Sequence, residues 1–77
     1  MSRQATASLR ALGERIGNLR DVRGWSQDDL AARSGIDLAD VVEIERGDRD
    51  PTLGTLERLA GCLGVTIGEI ACGTERL

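Results

Sequence analysis

Histidine, lysine, phenylalanine and tyrosine are all missing from this chain of 77 residues. Without histidine, the commonest general base is gone, and so is any cysteine–histidine nucleophile pair. The two cysteines, Cys62 and Cys72, supply at most half a zinc site, so no metal is expected. Two thiols in a chain without a secretion signal read as free rather than bridged. Neither common glycine-rich phosphate loop occurs. An enzyme, a cofactor and a small-molecule ligand are therefore not expected. Long apolar runs are missing too: no window approaches the roughly 18 consecutive apolar residues of a membrane span. Met1 to Ser8 lacks the apolar stretch of a signal peptide, which places the chain in the cytoplasm and away from membranes.

What remains is aliphatic and charged. Trp25 is the only aromatic residue, in a composition that is 40% hydrophobic and 30% charged. The length suits one domain, near the size where a single hydrophobic core is marginal. All ten basic residues are arginine, set against thirteen acids for a net charge of −3. Residues 1–33 carry +2 and residues 34–77 carry −5. Composition by itself argues against nucleic acid, because phosphate neutralisation by basic groups supplies most non-specific DNA affinity.

Apolar spacing predicts five helices and no strand. Leu9, Leu12, Ile16, Leu19 and Val22 recur every three or four residues, on one face of a first helix capped by Ser8 and stopped at Gly24. Ser26 precedes a short second helix with acids in its first turn, and Gly35 ends it. Asp37 is placed to cap a third helix running to Arg46 and stopped by Gly47. The charged stretch Asp48 to Asp50 before Pro51 reads as a loop. Thr52 can cap a fourth helix with Leu53, Leu56, Leu59, Ala60 and Leu63, and Thr66 with Glu69 forms a capping box for a fifth. Residues 1–8 are expected to form a flexible fringe and residues 9–77 the domain. Gly13, Gly17, Gly54 and Gly61 fall inside predicted helices, at a cost of roughly 1 kcal/mol each relative to alanine. Close helix packing at Gly13 and Gly17 is the alternative to plain tolerance, and tolerance is the expectation here.

Two helices that meet steeply through a short turn need a small residue at the contact and a glycine in the turn. Ala31 and Gly35 meet those needs, while Ile36, Val41 and Ile44 anchor the second of the two helices. Leu12-Gly13-Glu14-Arg15-Ile16, Gly24-Trp25-Ser26-Gln27, Leu30-Ala31, Ser34-Gly35-Ile36, Ile44-Glu45-Arg46-Gly47, Pro51 and Leu63-Gly64-Val65 fall in a familiar order. On these residues the chain resembles the helix-turn-helix family of phage repressors, Cro proteins and xenobiotic-response-element regulators, over roughly residues 12 to 72. The resemblance implies an all-α, five-helix, lambda-repressor-like domain with the helix-turn-helix at helices two and three. It implies a DNA-binding transcriptional regulator acting as a homodimer on a pseudo-palindromic operator. It further implies that Arg20 and Glu45 pair as a structural clamp, and that Gln27 meets a DNA phosphate.

The outward face of the third helix departs from that family. Where family members carry donors, this chain has Leu38, Ala39, Asp40, Val42 and Glu43, none of which donates a side-chain hydrogen bond at neutral pH. Residues 34–50 hold six acids against Arg46 and Arg49. Two readings stand. In one, Glu43 accepts from cytosine N4 while Leu38, Ala39 or Val42 packs on thymine methyls, with Arg46 and Arg49 on phosphates. In the other, this acidic face docks a partner protein. Trp25 is expected in the core rather than as a stacking platform. Val65, Ile67, Ile70 and Leu77 lie beyond what a four-helix core must absorb and are candidates for a two-fold dimer interface.

Overall fold

Helix ends in this chain are set by side-chain caps and by glycine. The computed structural model describes the backbone of residues 2–72 and the side chains of residues 9–71. It contains α1 (Ser2–Asp21), α2 (Gln27–Ser34), α3 (Leu38–Arg46), α4 (Leu53–Leu63) and α5 (Ile67–Cys72), with no strand among the described residues. Ser26 accepts from the Asp29 amide at 3.0 Å and its own amide donates to the Asp29 carboxylate at 2.9 Å, a reciprocal cap for α2. Thr66 and Glu69 make the same exchange ahead of α5, as the sequence predicts. Thr52 caps α4 through the Thr55 amide. Asp37 occupies the N-cap position of α3, but its side chain makes no capping hydrogen bond, so its charge is not consumed there. Gly35 (φ 75°) ends α2 in the left-handed region that makes the tight turn into α3 possible.

The first helix differs from its predicted bounds. It begins at Ser2, so Ser8 lies within it and is not its cap, and helical backbone runs through the segment assigned to a fringe. The reason is local: residues 2–12 contain neither glycine nor proline, and the alanines at 5, 7 and 11 propagate helix well. At the other end α1 stops at Asp21, before Gly24. Val22 consequently falls in the turn, 77% exposed, and is not part of the buried face.

The core is aliphatic. Ile16 of α1, Leu30 of α2, Val41 and Ile44 of α3, Leu59 and Leu63 of α4 and Ile70 of α5 are almost wholly buried against one another. Burial of a side chain of this size stabilises the fold by about 1.5–3 kcal/mol. Ile70 is completely buried within the single chain, which removes it from the candidate dimer surface. Among the described residues of α5, Ile70 is the one fully buried, and it serves as a lid on the four-helix core. Val65 and Ile67 are half-buried against the same core, and Leu77 lies outside the described residues.

Glycine positions the third helix. A Cβ on Gly13 would stand 2.4 Å from the Ile44 carbonyl oxygen and 2.5 Å from that of Glu45. The expectation of a merely tolerated glycine is therefore corrected at Gly13: α1 crosses the last turn of α3 at backbone contact. Gly17, one turn on, faces the Glu45 carboxylate at 3.4 Å. Gly61, by contrast, has open space around it.

Candidate nucleic-acid interface

The close crossing of α1 and α3 brings Arg20 against Glu45. Arg20 Nε donates to Glu45 Oε2 at 2.7 Å and Nη2 donates to Oε1 at 3.0 Å, a two-pronged ion pair. Both side chains are largely shielded, 15% and 9% exposed. Arg20 also donates to the Trp25 carbonyl at 2.7 Å and so fixes the turn ahead of α2. The hydrogen bonding to Glu45 pushes the Arg20 guanidinium still further above its ordinary range, against a smaller opposing effect of burial. Gln27 joins the pair from the first turn of α2, its amide nitrogen donating to Glu45 Oε1 at 3.0 Å. One carboxylate thus ties three helices together. The pair is the one the family resemblance implies, and Gln27, which the resemblance assigns to a phosphate, is held by it as a third member.

With Val41, Ile44 and Glu45 turned inward, the opposite side of α3 is left open. Leu38 (41% exposed) and Ala39 are exposed, and Val42 and Glu43 are partly so. Arg46 lies near Asp48 at 3.3 Å, both well exposed. Arg49, a phosphate candidate from the sequence, turns back onto α3. Its Nε donates to Glu43 Oε1 at 2.9 Å and its Nη2 lies 3.3 Å from Asp40 Oδ1. The hydrogen bond to Glu43 and the nearby Asp40 charge push the Arg49 guanidinium above its ordinary range. No signal in the sequence pointed to this contact, because Arg49 lies in the loop past the Gly47 turn and its direction depends on that turn.

The remaining singled-out residues are structural in their surroundings. Trp25 packs against the core, as expected, and the Arg33 guanidinium covers its ring at 4.4 Å from the centroid. Arg23 donates to the Leu19 and Leu63 carbonyls. Cys62 is a half-buried free thiol, pushed up in pKa by burial against smaller opposing effects of Arg33 and Arg23. The side chain of Cys72 lies outside the described residues. No three of the described cysteine and acidic side chains gather as metal ligands would. No described helix is long and apolar enough to cross a membrane. An open cleft of about 360 Å³ lies between the starts of α3 and α4, walled by Ile36, Asp37, Asp40, Thr52, Thr55 and Arg58.

This geometry has relatives. The helix-turn-helix family model matches residues 16–70. The uncharacterised HTH-type transcriptional regulator y4dJ of Sinorhizobium fredii is 38% identical over 64 residues, which cover 83% of each chain. The immunity repressor of Bacillus phage phi105 is 36% identical over 66 residues, 86% of this chain but 45% of the repressor. Among solved structures, the restriction-modification controller protein C.AhdI of Aeromonas hydrophila superposes with a TM-score of 0.81 at 38% identity, over 83% of this chain and 97% of the controller.

Proposed function

The chain belongs to the helix-turn-helix family, and from that membership we propose that it is a transcriptional regulator that binds double-stranded DNA as a homodimer. The carrying observation is the Arg20–Glu45–Gln27 network, which fixes α3 on the body while leaving its outer face open. A helix held in this way can enter the major groove without the cost of ordering it on binding. Leu38, Ala39 and Val42 offer apolar contact to thymine methyls, and Glu43 offers an acceptor to cytosine N4. Arg46, at the end of α3, and the first turn of α2 at Gln27 are the phosphate contacts of this reading. The ion pairs of Arg49 with Asp40 and Glu43, and of Arg46 with Asp48, reduce the acidity that this face would otherwise turn toward phosphates. A stand-alone repressor, a restriction–modification controller and an antitoxin are the regulator types that fit.

The test is a binding titration against the gene's own upstream DNA over a salt series. Binding that weakens steeply with salt and is tighter for the upstream region than for unrelated duplex supports the reading. Absence of binding even at low ionic strength defeats it. Gln27→Ala and Arg46→Ala should weaken binding to all sequences. Arg46→Ala should also reduce the salt slope by about one unit for each phosphate that Arg46 neutralises in the wild-type complex.

A further inference from the structure

From Leu38 to Glu43 the outer face of α3 has no side-chain donor of its own, and the fold brings one to it from outside the helix. Arg49 lies beyond the Gly47 turn and folds back onto Asp40 and Glu43, which stand one turn apart on α3. A guanidinium carries five N–H donors in a planar fork. The carboxylates engage Arg49 through Nε and Nη2, and Nη1 has no partner among the described residues. Glu43 engages through Oε1, which leaves Oε2 able to accept. All three side chains are partly open, at 48% for Arg49, 44% for Glu43 and 37% for Asp40. An uncommitted donor and an uncommitted acceptor therefore sit side by side on the face that meets the groove.

The geometry points to Arg49 and Glu43 reading one C·G base pair together, with Asp40 positioning Arg49. In the major groove guanine presents O6 and N7 as acceptors, and its paired cytosine presents the N4 amino group as a donor. The guanidinium matches the first and the carboxylate the second. This rests on the DNA-binding reading above. A phosphate role for Arg49 fits less well, because the Asp40 and Glu43 carboxylates beside the guanidinium would repel a phosphate, whereas a guanine edge carries no net charge.

The experiment takes the wild-type chain's preferred site from a pool of randomised duplexes. It then titrates each single-base-pair replacement of that site with wild type and variants across a salt series. Arg49→Ala should abolish the C·G preference at one position per half-site, with a loss of roughly 5- to 150-fold for the preferred duplex and an unchanged salt slope. Arg49→Lys keeps the charge but not the fork, so it should keep non-specific affinity and lose the same preference. Glu43→Gln should flatten that same position, and Asp40→Asn should weaken it in part. Effects of Arg49 and Glu43 at different positions overturn the shared reading. Uniform weakening by Arg49→Ala with a slope reduced by about one unit also overturns it, and either result leaves the regulator reading standing. A wild-type chain that binds no duplex overturns both.

Discussion

Gly13 and Gly61 are both glycines inside helices, and their surroundings make opposite demands. At Gly13 an added methyl group meets two backbone carbonyls of α3, which cannot move without shifting that helix. We expect Gly13→Ala to lower stability by about 2–4 kcal/mol, in the range of core overpacking and strain. Gly61 is exposed and its Cβ position is open, so Gly61→Ala should gain about 0.5–1 kcal/mol from helix propensity. Thermal melts of the two variants check both signs; a neutral Gly13→Ala would mean that α1 and α3 do not cross at backbone contact. The clamp gives a second test at this scale. Arg20 and Glu45 are partly buried, so removing either leaves a shielded charge without its partner, and each alanine variant should lose about 1–3 kcal/mol. The double variant should lose clearly less than the sum, whereas additive losses would show that the two side chains do not act as a pair.

At the scale of the elements, order and type were legible because local chemistry marks each start and stop. Ser26, Thr52 and Thr66 are polar caps, Gly35 and Gly47 are left-handed stops, and the apolar spacing between them has the helical period. Where no such mark exists, the reading was poor: nothing between Ser2 and Leu12 stops a helix, and α1 runs through Ser8. The Arg20–Glu45 pair was legible through family spacing. Gly13's packing and Arg49's return to α3 were not, since both depend on which elements cross in space. The α2 cap carries a pH prediction. The Ser26 backbone amide, and then its hydroxyl, hold Asp29 below its ordinary carboxylate value. A folded-state value below the unfolded one means that this contribution is complete above the unfolded value and is lost as pH falls through the folded one. Asp29→Asn should therefore lower the melting temperature at neutral pH and converge on wild type in acid, once the Asp29 carboxylate is protonated in the folded state. A gap that is constant between the two conditions would separate the cap from the Asp29 charge.

The whole molecule measures 34 × 24 × 21 Å over its described residues and presents a single short recognition helix. One such helix covers only a few base pairs, which is too little sequence for a regulator to find one site among many. Two copies related by a two-fold axis, with their α3 helices about 34 Å apart, would read successive major grooves on one side of the duplex. Among the candidate interface residues, Ile70 belongs to the protomer's own core, so Ile70→Asp would unfold the chain and report nothing about assembly. Val65 and Ile67 keep part of their surface outside the core, at the end of the molecule that α5 closes. Because they also pack inward, a measurement that needs no substitution is the cleaner one. If the native state is a dimer, mass action requires its melting temperature to rise with protein concentration. Sedimentation on the order of tens of micromolar should then give about twice the 8.2 kDa chain mass. A single-chain mass together with a concentration-independent melting temperature would exclude the dimer in free solution. Two half-sites could then be filled only by monomers that meet on the DNA, and binding would depend on their spacing and on protein concentration squared.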